Sequence, residues 1–230
     1  MDDLTKTKQN NLVNLQKNYF QQYGEAVSGQ QTIVGSLLKF SKGHWLKGAE
    51  EEEVVAATKF VVNMDEMFTG FQCWKDNKPV EHRRGKISEG WAPPKRAELG
   101  DMDQEQWELD TNDKPRDPWQ FNNWLLMKPV GKRYSTDVAL TFITSSQGGI
   151  SAVGKFTKAY GDQMAQHEDE WPIIEIGSES YKHSNKEFGR IEKPILTLVG
   201  WEKKSLFVVE DEEAAAEPEP AQTTRKGRRR

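Results

Sequence analysis

The chain has 230 residues and a formal charge of −4, and 35% of its residues are hydrophobic. That supply of apolar side chains is lean for a globular chain, but eight Trp and ten Phe offset it, since each large ring buries roughly 150–250 Å². A single cysteine, Cys73, excludes an intrachain disulfide and fits a reducing compartment. No apolar run approaches the roughly 20 residues that span a bilayer. The acidic start Met1-Asp2-Asp3 shows no secretory leader. The expectation is a soluble cytoplasmic protein with no membrane partner.

Residues 1–30 form a polar arm in which Leu12, Leu15 and Tyr19 recur at helical spacing. They read either as a short helix that serves homo-oligomerisation or as a frayed terminus. A β-rich domain is expected over 31–209. Leu38, Phe40 and His44-Trp45-Leu46 suit one extended segment with Gly43 as a bulge. The acidic run Glu50–Glu53 reads as a solvated turn. Val54 to Met64 reads as a second strand, and Met67 to Trp74 as the first arm of a long hairpin. Asp76-Asn77-Lys78-Pro79 is its turn, and Val80 to Ile87 is the return.

Residues 88–118 read as an insertion. Gly90-Trp91-Ala92-Pro93-Pro94 cannot continue a central strand. Glu98 to Asp113 holds seven acids and no Lys or Arg. The three Trp at 91, 107 and 119 suggest a loop pinned to the body. Phe121 to Met127 and Val138 to Thr144 are the next strands. Ile150, Val153, Phe156, Tyr160 and Met164 then share one helical face, with Ser145 or Ser146 as the N-cap. Pro172 to Ile176, Phe188 to Trp201 and Leu206 to Val209 read as the closing strands.

Several antiparallel strands, one main helix and further strands, without βαβ alternation, exclude a doubly wound sheet. The expected class is mainly β (α+β): an oligonucleotide-binding (OB)-like antiparallel barrel with its helix between the third and fourth barrel strands and an inserted loop or hairpin. An α+β sandwich fits the same order. Residues 210–230 run from Glu210-Asp211-Glu212-Glu213 to Arg228-Arg229-Arg230 and predict a disordered tail, acidic then basic. Its six acids nearly balance its five bases, so it does not mask a basic domain.

Residues for catalysis or metal binding are not indicated. Asp101, Asp103 and Glu105 have the alternation of a calcium loop, but Gln106 stands where Gly belongs and the closing Glu is missing. Cys73 between Phe71 and Trp74 reads as a packed thiol, and no Gly-x-Ser-x-Gly elbow is present. His44, His82, His167 and His183 are scattered among polar neighbours. Ser145 to Gly149 could offer backbone N–H groups to a phosphate at a helix start, or simply make a tight turn; no Walker lysine follows. No catalytic residue, metal site or cofactor is expected.

The strongest chemical pattern interleaves bases with rings. Trp74, Lys75, Arg83, Arg84 and Lys86 lie on or beside the hairpin, and Tyr181, Lys182, Lys186, Phe188 and Arg190 precede the last long strand. Single-strand binders use this mixture, cations tracking phosphates while rings stack bases. Rings facing the core and bases facing water would give the same composition.

Three strings, Pro115-Arg116-Asp117-Pro118-Trp119-Gln120, Thr144-Ser145-Ser146-Gln147-Gly148-Gly149-Ile150, and Gly189-Arg190-Ile191 leading to Val199-Gly200-Trp201, resemble a group of poorly characterised proteins from phages and proteobacterial prophages. The resemblance covers roughly residues 65–201 and carries over no catalytic residue. The strand order resembles phage single-stranded DNA-binding proteins with an OB fold. These likenesses imply a non-catalytic single-stranded DNA-binding accessory of phage-type replication or recombination, in the bacterial host cytoplasm if phage-encoded. The tail, with a reach of roughly 25 Å, would compete with nucleic acid or contact a replication or recombination protein. Its basic end departs from the acidic tails of such binders. The alternative is a protein-interaction module, a phage inhibitor or structural accessory, acting through the acidic segments.

Overall fold

The computed structural model describes residues 33–110, 113–133, 135, 137–182 and 189–207. The N-terminal arm and the acidic-then-basic tail lie outside the described residues. Nine strands and one α-helix of the described residues follow in order. They are β1 (Ser36–Ser41), β2 (His44–Lys47), β3 (Glu52–Val54), β4 (Lys59–Lys75), β5 (Lys78–Lys86), β6 (Trp119–Pro129), β7 (Leu140–Thr144), α1 (Gln147–Gly161), β8 (Glu170–Lys182) and β9 (Arg190–Lys203). All nine strands belong to one sheet in the order β3-β2-β1-β7-β6-β4-β8-β9, with β5 attached to β4. Every pairing is antiparallel except β1 with β7. The mainly β class with one main helix is therefore observed.

The branch in the sheet comes from β4. Its first half lies between β6 and β8, and its second between β6 and β5. The change of neighbour occurs where the β4–β6 register slips between Asn63 and Phe68. There the Asn63 carboxamide oxygen accepts from the backbone N–H groups of Asp65 (3.0 Å) and Glu66 (3.3 Å), an Asx-type turn that bends the strand. The two ends of the sheet curl toward each other into a half-barrel. Trp45 on β2 donates through Nε1 to the carbonyl of Gly177 on β8 at 2.9 Å. The space enclosed is filled by Leu38, Phe60, Phe142, Leu125, Ile174 and Phe156, among other buried side chains. Trp45 packs at 5.0 Å from Phe142 within it. Helix α1 starts at Ser146, whose hydroxyl accepts from Gly149 N–H, and buries Ala152, Val153 and Phe156.

Four sequence expectations are corrected. Gly43 is not a bulge: Lys42 and Gly43, both at positive φ, turn the chain between β1 and β2, because a two-residue turn lets Trp45 fold back beside Phe40. The segment Val54–Met64 is not one strand. It breaks at the positive-φ Ala57, and from Lys59 it runs on without a break into Met67–Trp74, since Phe60, Val61 and Val62 are all buried between neighbouring strands. Leu206 is not in a strand; Lys204–Phe207 form a 3-10 turn that seats Phe207 in the core. The helix ends at Gly161, leaving Met164 in a separate exposed turn. The hairpin is as expected, with Asp76 (φ 50°) and Asn77 (φ 57°) both left-handed at its tip.

Candidate nucleic-acid interface

Alternation along paired strands fixes which side chains share a face. In the β5–β4–β6 ladder, Lys86 stands opposite Phe68, Arg84 opposite Gly70 and His82 opposite Gln72. On the other side of β4, Trp124, Asn122 and Gln120 align with the same three residues. On this face Gln72, His82, Gln120, Asn122 and Trp124, with Ile143 on β7, Leu37 and Lys39 on β1, and Trp74, Val80 and Ser145, line a groove of about 680 Å³, and Phe68, Arg84 and Lys86 lie on the same face beyond that lining. It lies on the far side of the sheet from Leu125 and Phe142, which alternate with Trp124 and Ile143 and belong to the core.

Beyond the groove's lining, the same face holds a cation without an ion-pair partner among the described residues. The Arg84 guanidinium lies 5.1 Å from the Trp124 ring centre and 5.9 Å from that of Phe68. Burial pushes its pKa down to about 10, so it stays charged at neutral pH. None of the described carboxylates forms an ion pair with it. Its Nη1, together with Trp74 Nε1 and His82 Nδ1, is buried without a hydrogen-bond partner among the described residues. Three such atoms on one face are notable, because a buried polar atom left unpaired costs about 1–3 kcal/mol.

His82 is held below its ordinary value of 6.5, first by burial and then by the Arg84 charge. A lowered folded-state pKa means that the unfolded chain takes up the proton more readily. The stability this group contributes is present above pH 6.5 and is lost as the pH falls below that through the folded value. Thermal melts between about pH 7 and about pH 5 should show the wild type losing stability that His82→Gln retains. Parallel curves for the two proteins would contradict the assignment.

The residues predicted from sequence fall into three places. Trp74, Arg84 and Lys86 share the groove face. Lys86 is committed there to Glu66 at 2.7 Å and lies 5.6 Å from the Phe68 ring centre. Lys75 and Arg83 alternate onto the opposite face, where Arg83 pairs with Glu81 at 2.7 Å. Tyr181, Lys182 and Arg190 sit at the end of the β8–β9 hairpin next to the connection between its strands. Tyr181 is exposed there under Lys193, and Arg190 donates to the Ser180 hydroxyl. Near that end of the hairpin, Lys193 packs against Gly148 at the start of α1, three residues beyond the groove residue Ser145. Lys186 and Phe188 lie outside the described residues. Sequence reasoning missed His82, Gln72, Gln120, Asn122 and Trp124. Their signal was the alternation with Trp74, readable only once three strands were in register.

The insertion is pinned as its Trp residues suggested. The Trp91 ring covers Gly85 of β5 from the face opposite the groove. Trp107 Nε1 donates to the Asp101 carbonyl at 2.8 Å, and Trp119 Nε1 to the Asp101 carboxylate at 3.0 Å. Arg96 grips Asp117 with two nitrogens. These bonds occupy Asp101, and Asp103 caps a short turn by accepting from Glu105 N–H, so two of the three acids that mimicked a calcium loop are engaged. A second cavity of about 420 Å³ lies between the insertion and the hairpin, lined by Trp107, Met102, Arg116 and Lys75, with Trp74 shared by both spaces. Cys73, buried against this region, has its thiol pKa raised, first by burial and then by Asp101.

No family model, curated protein or solved structure matches this chain. No helix among the described residues is long and apolar enough to cross a membrane.

Proposed function

We propose that the protein is a non-catalytic single-stranded nucleic-acid-binding domain of OB type, an accessory of phage-type DNA replication or recombination. The observation that carries this reading is one strand face on which Arg84, with no described counter-ion, lies over the Trp124 ring, and on which Trp74 and three side-chain amides line the adjoining groove. Cations for phosphates and rings for bases are what single-strand binding requires. Connectivity supports the OB part. Strands β4, β6 and β7 form an antiparallel meander, α1 follows, and β8 returns to pair with β4 before β9. A bent first strand shared by both halves and a helix between third and fourth strands belong to that pattern, whose ligand face lies on the second and third strands. Here those are β6 and β7, which carry the groove. The first interstrand connection holds the β5 arm, which carries Arg84 and Lys86 of the first basic cluster. The insertion of β1 beside β7 is the departure.

The test is a titration of the full chain with a short oligonucleotide, followed by Trp emission and anisotropy. Binding should weaken steeply with salt, with each neutralised phosphate contributing about 0.7 to the log–log slope. Arg84→Met should lower the slope by about that amount and weaken binding about tenfold. Unchanged Trp emission together with no mobility shift at low salt sinks the reading. The alternative of a protein-interaction module is favoured by the second cavity, where Met102 is exposed beside Trp107 in the acidic insertion. Partner capture that depends on the insertion, with no oligonucleotide bound, selects it.

A further inference from the structure

We infer that the apolar stripe of the chain's own N-terminal arm, Leu12, Leu15 and Tyr19, seats in the groove of the same molecule and covers it in the free protein. This goes beyond the nucleic-acid reading and does not depend on it. The described chain begins at Ile33, and Ile33 itself lines the groove. The arm therefore leaves the domain at the rim of the surface it covers. Ile33 is 49% exposed, and Val80, on the other side of the groove on β5, is 55% exposed. Single apolar residues on a surface are ordinary, but these two share one groove with the half-buried Leu37 and Ile143. The amides of Gln72, Gln120 and Asn122 lie on the strands between them. Lys39 is the one fixed charge in that lining, and it is paired with Glu51.

Such a wall suits a segment of apolar and amide side chains, and the arm supplies one. Residues 12–23 carry five side-chain amides and a single charge, Lys17. Wound as a helix, they put Leu12, Leu15 and Tyr19 on one face and Lys17 away from it. The lengths agree. As a helix this stretch measures about 18 Å. The lining runs from Trp124 to Gln120 along β6 and on to Trp74, which pairs with Pro118, roughly 20 Å of strand. Residues 24–32 join the stretch to Ile33, with Gly24, Ser28 and Gly29 among them. A linker of that length and composition reaches roughly 16 Å, enough to turn the arm back along the groove. So short a tether holds the arm at a local concentration on the order of millimolar, which favours its own groove over that of a second copy.

The full chain carries its own test. Asn14→Cys places a nitroxide on the side of the helix away from the stripe, and the wild type, whose only cysteine is the buried Cys73, is the labelling control. The methyl signals of Leu37, Val80 and Ile143 should be attenuated several-fold, and those of Val199 and Leu206, exposed outside the groove, should not. Adding Leu12→Ser, Leu15→Ser and Tyr19→Ser, which leaves the described core untouched, should restore the groove signals. Groove signals that the nitroxide does not attenuate overturn the inference, and so does attenuation that survives the three serines. Attenuation in isotope-labelled chains without nitroxide, mixed with nitroxide-bearing ones, overturns it in favour of a second copy. The serine variant should also bind a short oligonucleotide several-fold tighter than the wild type. Equal affinity, with the attenuation intact in the wild type, leaves the arm seated and counts instead against the groove as the nucleic-acid surface.

Discussion

Replacing Lys128 by Met should destabilise the protein by about 3–5 kcal/mol. Lys128 stands in the middle of the sheet with its side chain 1% exposed. Its ammonium donates to Glu202 Oε1 at 3.2 Å and to the Lys132 carbonyl at 3.0 Å, and lies 5.9 Å from the Phe207 ring centre. Glu202 Oε2 is already buried without a partner. Removing the cation leaves a carboxylate that is mostly withdrawn from water with nothing to face. The penalty of stranding one charge exceeds what the pair itself contributes, because both ions lost their hydration on folding. The double change Lys128→Met with Glu202→Leu should therefore recover most of the loss. Urea denaturation of the three proteins checks both statements. A single variant within about 1 kcal/mol of wild type would show that water reaches Glu202.

Lys128 also shows where sequence stops informing structure. In Leu125-Leu126-Met127-Lys128-Pro129 a lysine at a strand end reads as a surface residue. It is buried because β4, β9 and the Phe207 turn, all distant in sequence, converge on it. What was legible was local. The Asp76-Asn77 tip, the Ser146 cap and the Val153–Phe156 helical stripe each rest on backbone preference within a few residues. The 88–118 insertion was legible because its prolines and acids exclude a central strand. The parallel β1–β7 pairing was not, since nothing in Ser36–Leu38 announces a partner more than a hundred residues away. The groove lay between these cases. Its cations and Trp74 were visible as a mixture, but the half of them that alternates away, Lys75 and Arg83, could be separated only by the register. The Asn63 turn in β4 then sets that register for Phe68 through Trp74.

Gly70→Ala should damage stability and oligonucleotide binding together. Gly70 sits in β4 at φ 147°, a conformation that costs an L-residue about 1–3 kcal/mol. A Cβ there would lie 2.2 Å from the Arg83 carbonyl oxygen and 2.6 Å from Arg84 Cα. Both are backbone atoms, so no rotamer change relieves the clash. Strand β5 must move, which adds overpacking of about 1–3 kcal/mol. The movement displaces the residue that holds a guanidinium over Trp124 and Phe68. Binding should then fall at least as far as in Arg84→Met, although no contacting side chain has been altered. Gly85→Ala makes the contrast. Its Cβ would meet the Trp91 ring at 2.3 Å, but a side chain on the opposite face can swing aside, so the insertion loosens while Arg84 keeps its place. Urea midpoints and oligonucleotide titrations of the two variants separate the cases. If Gly70→Ala binds like wild type at a concentration of denaturant where it is still folded, the close crossing of β4 and β5 is not what holds Arg84 over Trp124 and Phe68 for binding.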